Sequence, residues 1–489
     1  MRFRFILTLV LLNFLYSQKW RNISTFTFIN SIVRYQNNLY VGTNGGVFIY
    51  DILNHRITVT HVTEEPVILA APDPTTTDVY YISRGILFRW NPFIRTPAQL
   101  GYVGYPKSLS IDARYIYLDF PDGIKKYSKS GVPQGFSSSS QNLIWCGDRS
   151  LLKKDDPELL FFSPFFKYTS RLGRVEYTVF YPDMDKLWVG TYGEGIYLYK
   201  KRFYQEEDSI KVGLWDSDVR SLYYKDGVLW LGCSKGITKV ERDVWESFSG
   251  NGTVGLLCDE IEDITGLDDI LWFASSCGVL KYTRDRFTLY SIPASIGSYV
   301  TSVLADPPYL WIGTDQGIGS TLVSGGPFES MSGVVNAYVN EILRGKKRIY
   351  FLTEQGVFSF TRREREWSRI VDPRSWLDGD VEAGASFKDT FYFISLMGLV
   401  IMDETNDEFL YLNTPFSPRN EPSLSMSVDD RRIYIGTVRG LYILDKRGNT
   451  WMPLRKTDGL VNDYIQEVLT VGDSVYIATK NGLSILYWR

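Results

Sequence analysis

The hydrophobic positions of this chain recur as one short phrase. Residues 187–200 read LWVGTYGEGIYLYK, in which two apolar runs flank a turn that contains glycine. Both runs are short and rich in aromatic and β-branched residues, which is typical of two strands joined as a hairpin. The first run is apolar at successive positions and does not alternate. It therefore predicts a strand that is buried on both faces.

The phrase is repeated along most of the chain. Copies aligned on the turn glycine occur at Gly46, Gly85, Gly123, Gly195, Gly236, Gly278, Gly317, Gly356, Gly398, Gly440 and Gly482. From Gly195 onward the spacings are 41, 42, 39, 39, 42, 42 and 42 residues. The 72 residues between Gly123 and Gly195 leave room for one degenerate copy, LLFFSPFFKYTS at 159–170. About twelve units of roughly 40 residues are thus predicted, a period typical of propeller blades.

Each unit is predicted to form four antiparallel strands. In 218–248 these are VRSLYY, LWLGC, ITKVE and VWESF, separated by the turns KDG, SKG and RD. Glycine and aspartate between runs of β-formers mark such turns, and the repeated turn glycine is expected to adopt a positive φ. Four tryptophans share one place in the second strand, so we expect them to pack between sheets: Trp188, Trp230, Trp272 and Trp311.

The two ends of the chain complement each other. The last unit stops after its third strand, at LSILYWR, while KWRNIST near the N-terminus resembles the fourth strands at 366–371 and 450–455. We therefore predict that a strand within 18–26 completes the last blade and closes the ring, which hides two sheet edges. Twelve blades exceed the roughly four to eight of common propellers. The predicted fold is all-β, with two propellers (6+6 or 5+7) at 18–250 and 251–489, or alternatively a single twelve-bladed ring.

The first 17 residues have the features of a secretory signal peptide. Arg2 and Arg4 precede an apolar run that ends at Tyr16, and this run is shorter than the ~20 residues that a membrane span needs. An uncleaved anchor helix is the alternative. We expect a periplasmic or extracellular protein without a membrane span after cleavage. The 53 basic and 56 acidic residues are interspersed, for a net charge of −3, so nucleic acid is not expected as a partner.

The repeats resemble those of a known family. TDGLVNDYIQEVLTVGDSVYIATKNGLSIL at 457–486 and LWIGTDQGI at 310–318 are similar to the two-component regulator propeller repeat, and the resemblance covers most of 28–489. In that family, such propellers form the periplasmic ligand-sensing parts of membrane-bound histidine kinases and often face products of polysaccharide breakdown. The family's membrane helix and kinase are not found here, so direct signalling is not expected. Similar propeller pairs occur in secretion-machinery proteins of Bacteroidetes-like bacteria.

Motifs for catalysis and cofactor binding are missing from the sequence. It contains no nucleophile elbow, P-loop, dinucleotide fingerprint or HExxH motif. His55 and His61 are too few for a zinc site, and the acidic stretches 258–263 and 378–382 do not match an EF-hand loop. We expect a non-enzymatic protein without metal or cofactor, and a carbohydrate-active enzyme remains an alternative.

Candidate binding residues follow from propeller topology. The residue before each first strand and the turn between the second and third strands lie on one face, around the channel. Counting back twelve residues from the second-strand aromatic yields Asp218, Glu260, Tyr299, Tyr338, Asp380, Pro422 and Tyr464. The turns add Lys235, Asp315, Glu354, Arg439, Lys480 and Asn481. Tyrosines mixed with carboxylates suit a glycan or a peptide, so we predict ligand or partner binding at this rim. A structural role in envelope or secretion assembly is the alternative.

Cysteine usage suggests one disulfide. An exported protein with four cysteines can form such bonds. Pairing the first and second strands of 255–285 places residue 260 opposite 277, which brings Cys258 close to Cys277. Cys233 of the preceding unit is the competing partner, and Cys146 has no evident mate.

Overall fold

A computed structural model describes residues 19–94, 96–137, 145–147, 177–200, 205–242, 244–250, 253–331 and 333–488. Strands joined by turns make up this part of the chain, together with one 3₁₀ turn at Lys456–Asp458. Over the described residues, no helix has the length and apolar character that a membrane crossing requires. The predicted signal peptide at 1–17 and the degenerate copy at 159–170 lie outside the described residues.

The chain forms two compact units. One contains Asn22–Trp215 with residues 244 and 245, and the other contains residues 19–21, 216–242 and 246–488. We call the second unit the ring unit. The proposed limits of two independent domains, 18–250 and 251–489, stay a prediction.

Four sheets are described in the unit formed by Asn22–Trp215. After β1 (Lys19–Ile23), which belongs to a later sheet, the chain forms β2 (Ile29–Tyr35), β3 (Asn38–Thr43), β4 (Gly46–Asp51), β5 (Arg56–Val62), β6 (Val67–Pro72), β7 (Val79–Ser83), β8 (Ile86–Trp90), β9 (Ala98–Tyr102), β10 (Ser108–Ile111), β11 (Tyr115–Phe120), β12 (Gly123–Ser128), β13 (Pro133–Ser137), β14 (Trp145–Gly147), β15 (Tyr177–Asp183), β16 (Lys186–Thr191), β17 (Ile196–Lys200) and β18 (Gln205–Ile210). Strands β2–β5, β6–β9 and β15–β18 form four-stranded sheets, and β14 adds a fifth strand to β10–β13.

Seven sheets make up the ring unit. Their strands are β19 (Val219–Lys225), β20 (Val228–Cys233), β21 (Gly236–Glu241), β22 (Val244–Phe248), β23 (Ile261–Leu267), β24 (Ile270–Ser275), β25 (Gly278–Thr283), β26 (Arg286–Tyr290), β27 (Val300–Asp306), β28 (Tyr309–Thr314), β29 (Ile318–Leu322), β30 (Glu329–Ser330), β31 (Val339–Arg344), β32 (Arg348–Thr353), β33 (Gly356–Thr361), β34 (Glu366–Arg369), β35 (Val381–Phe387), β36 (Thr390–Ser395), β37 (Gly398–Asp403), β38 (Glu408–Leu412), β39 (Ser423–Val428), β40 (Arg432–Thr437), β41 (Gly440–Asp445), β42 (Thr450–Leu454), β43 (Ile465–Val471), β44 (Ser474–Thr479) and β45 (Gly482–Tyr487).

The seven sheets close on themselves. Each first strand contacts the first strand of the next sheet, and β43 of the last sheet contacts β19 of the first. The last sheet has the order β1-β45-β44-β43, so the N-terminal strand supplies its missing fourth strand, as predicted. The all-β propeller fold is therefore confirmed. Because β43 contacts β19, these seven sheets close a ring of their own, and the alternative of a single twelve-bladed ring is wrong. Seven sheets agree with the larger propeller of the predicted 5+7 division.

The core of the ring unit lies between neighbouring sheets. The second strands are almost fully buried: β24 has five buried residues of six, and β28 the same. A sheet inside a ring meets a neighbour on both faces, which is why these strands lack polar alternation. Trp188, Trp230, Trp272 and Trp311 are all buried, which confirms their predicted packing role.

The turn glycine is required by backbone geometry. Gly278 has a φ of +137°, and a Cβ atom there would collide with the carbonyl oxygen of Tyr290 on the adjacent fourth strand. Gly236 has the same conformation and the same conflict with Phe248. The turn thus needs a residue that has no side chain and tolerates positive φ.

Candidate functional site

The predicted rim residues occupy equivalent places in the ring unit. Each stands immediately before the first strand of its sheet, one residue ahead of Val219, Ile261, Val300, Val339, Val381, Ser423 or Ile465. All seven are partly exposed, and six of them belong to the predicted set of charged or aromatic residues. We call these seven positions, together with the turns between second and third strands, the mouth of the ring.

Backbone hydrogen bonds join the residue before each of several first strands to the turn of the same sheet. The carbonyl of Asp218 accepts the amide of Ser234 at 3.0 Å, and the carbonyl of Tyr338 accepts the amide of Glu354 at 3.2 Å. Lys480 donates its amide to Tyr464 in the same way, at 3.3 Å. In the third sheet the Asp315 side chain replaces this bond, because its Oδ1 accepts the amide of Ser298 at 2.7 Å. The structure therefore brings the predicted residues from both sets side by side.

Charges around the mouth are unevenly distributed. The turns of three consecutive sheets, the sixth, seventh and first, carry the basic side chains Arg439, Lys480 and Lys235, all exposed. The third and fourth sheets carry Asp315 and Glu354 at the equivalent turns. The turns on one side of the mouth are therefore basic, and those on the other side are acidic.

A β-bulge follows each mouth residue. The cross-strand register shifts once in every first strand, for example between Val219 and Ser221, and leaves one residue unpaired. We call these residues, which the sequence analysis missed, the bulge residues: Arg220, Glu262, Thr301, Asn340, Glu382, Leu424 and Gln466. A bulge redirects side chains away from the regular strand alternation.

Most bulge residues bond to the next sheet. Asn340 Nδ2 donates to Asp380 Oδ1 at 3.0 Å and to the carbonyl of Val381 at 2.9 Å. Gln466 makes the same pair of bonds to Asp218 and Val219, at 2.7 Å each, across the junction between the last and first sheets. The polar bulge side chains therefore tie neighbouring sheets together at the mouth.

Arg220 organises the most acidic part of the mouth. Its guanidinium contacts Glu260 at 2.6 Å, Glu262 at closer range, and Asp218 at 3.6 Å. Burial would lower the pKa of this guanidinium, but Glu262 and the other carboxylates raise it, so the group stays charged. Burial raises the pKa of Glu262, and Arg220 opposes that shift.

The carboxylates of the other acidic stretch, 378–382, are likewise bonded to protein groups. Burial raises the pKa of Asp380, whereas its bond from Asn340 lowers it. Burial raises the pKa of Glu382 to about 7. The amide of Ser423 donates to its Oε2 at 2.6 Å and opposes that rise. Across the described residues, no three histidine, cysteine or acidic side chains are grouped so that they could hold a metal.

Tyrosines line part of the mouth. The rings of Tyr299 and Tyr338 lie edge to face with centroids 6.4 Å apart. Burial, and then the hydroxyl of Tyr299, raise the pKa of Tyr338, so this phenol stays neutral. Lys480 Nζ lies 3.9 Å from the centroid of the Tyr464 ring, a cation–π contact within the mouth.

A disulfide borders the mouth. Cys258 and Cys277 are bonded, with Cα atoms 6.2 Å apart, and join the loop before β23 to the turn after β24. Cys233, the competing partner, is a buried free cysteine, and Cys146 is another.

The other unit has an aromatic cluster at the corresponding place, which the repeat pattern alone does not reveal. Phe28 stands before β2, at the place that corresponds to the mouth residues of the ring unit. Its ring packs edge to face on Tyr192, at 4.8 Å, and against Trp215, at 5.4 Å. Tyr192 remains about half exposed, and Glu194 bonds Lys211 at 3.2 Å.

The two histidines do not share a site. His55 lies in the turn before β5 and pairs with Asp208 at 3.0 Å. His61 stacks on Trp90 at 4.7 Å and contacts the hydroxyl of Tyr81 at 3.1 Å. Aromatic rings therefore partly bury His61, whereas His55 lies on the surface.

Comparisons with known proteins identify similar folds. No family model and no curated protein matches the chain. The extracellular domain of the hybrid two-component system BT4673 from B. thetaiotaomicron is 18% identical, with a TM-score of 0.49; the match covers 94% of this chain and 64% of that one. The corresponding domain of BT3049 from the same organism is 16% identical, with a TM-score of 0.49 and coverages of 92% and 60%.

A third similar structure comes from another setting. PorZ, a surface component of the type-IX secretion system of Porphyromonas gingivalis, is 12% identical with a TM-score of 0.48, covering 94% of this chain and 74% of that one. The chain thus spans less than two thirds of the two sensor domains. Those domains come from two-component systems, the class of protein that the repeat resembles. Because all three TM-scores are below 0.5, the propeller fold rests on the chain's own sheet order and contacts.

Proposed function

We propose that this chain is an exported, non-enzymatic propeller protein that binds a peptide or a glycan at the mouth of the ring unit. The observation that carries this proposal is the contrast between two adjacent positions in each sheet. The first residue of the first strand is Val or Ile in six sheets of seven, whereas the residue before it is Asp, Glu, Tyr, Tyr, Asp, Pro and Tyr in turn. Packing explains the uniform position, and recognition explains the varied one.

The chemistry of the mouth supports an oriented ligand. Tyrosine rings offer apolar faces for a sugar or a side chain, and their hydroxyls offer hydrogen bonds. The basic turns of the sixth, seventh and first sheets face acidic turns of the third and fourth across the ring. A ligand with separated charges or dipoles would therefore bind in one preferred orientation.

A binding screen tests this function. The mature protein, produced without residues 1–17, is screened against glycan and peptide arrays, and any hit is measured by calorimetry. We expect Tyr299→Ala and Tyr338→Ala each to weaken binding by about fivefold or more, since a lost aromatic contact costs roughly 1–3 kcal/mol at a ligand interface.

Matched variants separate the mouth from the general surface. Tyr105→Ala changes a tyrosine that is 64% exposed outside the ring unit, and should leave binding unchanged. Lys480→Glu reverses a charge in the basic part of the mouth, and should alter the salt dependence of binding. If the two mouth tyrosines can be removed without loss of affinity, the ligand does not bind at this mouth.

A further inference from the structure

Three acidic side chains lie just below the mouth. Asp263, Glu341 and Glu467 each directly follow a bulge residue, on the first strands of the second, fourth and seventh sheets. We call them the carboxyl layer. Each keeps some accessible surface although protein surrounds it, as expected for side chains at the enclosed centre of a ring. The same position in the other four sheets holds Ser221, Ser302, Ala383 and Ser425.

Each member of the carboxyl layer holds the next sheet around the ring. Asp263 accepts an amide at 2.8 Å, Glu341 accepts one at 2.8 Å, and Glu467 accepts one at closer range. The donors belong to the first strands of the third, fifth and first sheets, and are Val303, Gly384 and Leu222, respectively. The bond from Leu222 to Glu467 therefore spans the junction where the ring closes.

One equivalent bond uses a group that does not titrate. The hydroxyl of Ser425 accepts the amide of Val468 at 2.9 Å and joins the sixth sheet to the seventh. The chain thus contains an internal reference, with the same bond at the same place in the repeat but without a carboxyl group.

The carboxyl layer has no balancing cation among the residues that the structure describes. Among the described residues, no lysine or arginine forms an ion pair with any of its three members. The charged side chains on the surrounding first strands at the neighbouring level are Arg220, Glu262 and Glu382. Arg220 is already bonded to the acidic residues of the mouth, and Glu262 and Glu382 add negative charge.

Enclosure shifts the ionisation of these carboxyl groups to higher pH than usual. Burial raises the pKa of Asp263 to about 6 and that of Glu341 to about 8, although the bonded amides lower both. Burial raises the pKa of Glu467 well above its usual range, and the charge of Asp263 adds to that shift. Each ionisation therefore opposes the next one.

We propose that the carboxyl layer is a proton-dependent clasp of the ring. Ionisation of Asp263, Glu341 and Glu467 strengthens each amide bond, but it also places uncompensated negative charges in an enclosed space, and the cost of desolvation and mutual repulsion loosens the first strands around the central channel. Geometry supports this role, because every member bonds the next sheet, the charges of Asp263 and Glu341 both act on Glu467, and no lysine or arginine of the described ranges forms an ion pair with any of the three. The clasp would make the mouth above it more mobile as the pH rises.

The direction of the pH effect follows from linkage. A carboxyl group with a raised pKa in the folded state binds its proton more tightly there than in the unfolded chain. Its stabilising effect is complete below the unfolded pKa and is lost as the pH rises to the folded value. For Glu341 this window extends from about 4.5 to about 8. Stability should therefore fall between pH 6 and pH 8.5.

Thermal unfolding of the full chain tests the clasp. We expect the wild-type melting temperature to fall by about 5 °C or more between pH 6 and pH 8.5. Glu341→Gln and Glu467→Gln keep a neutral acceptor oxygen, so each should reduce this slope, and the double variant should flatten it most. Asp430→Asn removes an exposed carboxylate that pairs with Lys388, and should leave the slope unchanged.

Hydrogen exchange of the wild-type protein provides the second measurement. After correction for intrinsic exchange rates, protection of the Gly384 and Leu222 amides should fall by about tenfold or more from pH 6 to pH 8.5. Protection of the Val468 amide, held by Ser425, should not change. Equal changes at all three amides, or an unaltered slope in the double glutamine variant, would overturn the proposal.

Discussion

Trp230, Trp272 and Trp311 fill the same place in three successive sheets of the ring unit, and each is at least 94% buried. The residues that precede the first strands of these same sheets are Asp218, Glu260 and Tyr299, all partly exposed. The second strands therefore repeat one composition, while the mouth changes from sheet to sheet. Both regions belong to every repeat, so the difference must come from what each region contacts.

The contrast shows how packing and polar bonding constrain a repeat differently. A second-strand side chain meets the faces of two neighbouring sheets, and a change of volume is felt on both sides. A bulge residue needs only a donor that reaches the next sheet, and Asn340, Thr301 and Gln466 all donate to the carbonyl of the first residue in the next first strand. The mouth is consequently free to vary for recognition while it still helps to close the ring.

The largest effect is expected at a second strand. Trp311 is 2% exposed and contacts Phe351, Phe360 and Trp367 at centroid distances of 5.0 to 5.9 Å. Trp311→Ala should lower the free energy of unfolding by about 3–5 kcal/mol in a denaturant titration, because it opens a cavity between sheets. Trp367→Ala, in the same cluster but only partly buried, should cost clearly less.

A second variant at Trp311 shows which property of the side chain stabilises this region. The indole nitrogen of Trp311 is buried and finds no hydrogen-bond acceptor in the described part of the chain. Trp311→Phe removes this unsatisfied group while it keeps an aromatic ring, so it should cost much less than Trp311→Ala. Equal losses for the two variants would mean that the volume of the ring is not what stabilises this region.

Removing the disulfide tests how much a covalent bond beside the mouth contributes to stability. Cys258 and Cys277 are separated by 19 residues, and closing a loop of this size stabilises a protein by about 3 kcal/mol in the chain-entropy model. Peptide mapping without reduction should recover the linked pair. The double variant Cys258→Ser/Cys277→Ser should lose about that stability, whereas reducing agent should add no further loss. Recovery of Cys258 as a free thiol would show that this part of the mouth is held by packing alone.

Much of the fold follows from the sequence because the packing is repeated. The strand phrases, the turn glycines and the N-terminal strand that completes the last sheet all reflect contacts that recur in every unit. The mouth residues could be located for the same reason, by counting from the second-strand aromatic. These predictions needed only a constant register between first and second strands, and that register is the same in all seven sheets of the ring unit.

The bulge residues and the carboxyl layer could not be located in this way. A bulge interrupts the alternation of strand faces, so the spacing assigns Arg220 and Asp263 to the wrong sides. One signal was present in the sequence nonetheless. The members of the carboxyl layer each stand the same 15 residues before the turn glycine of their sheet, at Gly278, Gly356 and Gly482. A carboxylate at a fixed place in an apolar strand indicates a fixed polar contact.

The smallest expected effect concerns the bulge residues, and it asks whether the closing junction of the ring differs from the others. Gln466→Ala removes two side-chain bonds between the last and first sheets, and Asn340→Ala removes the corresponding two between the fourth and fifth. Net hydrogen-bond contributions of roughly 0.5–1.5 kcal/mol each predict a loss of about 1–3 kcal/mol for either variant in a urea titration. Similar losses would mean that all junctions are equivalent and that ring closure adds no special strain. A clearly larger loss for Gln466→Ala would make the junction between β43 and β19 the weakest point of the ring. The last and first sheets are not consecutive in the chain, so only side-chain bonds and packing hold them together there.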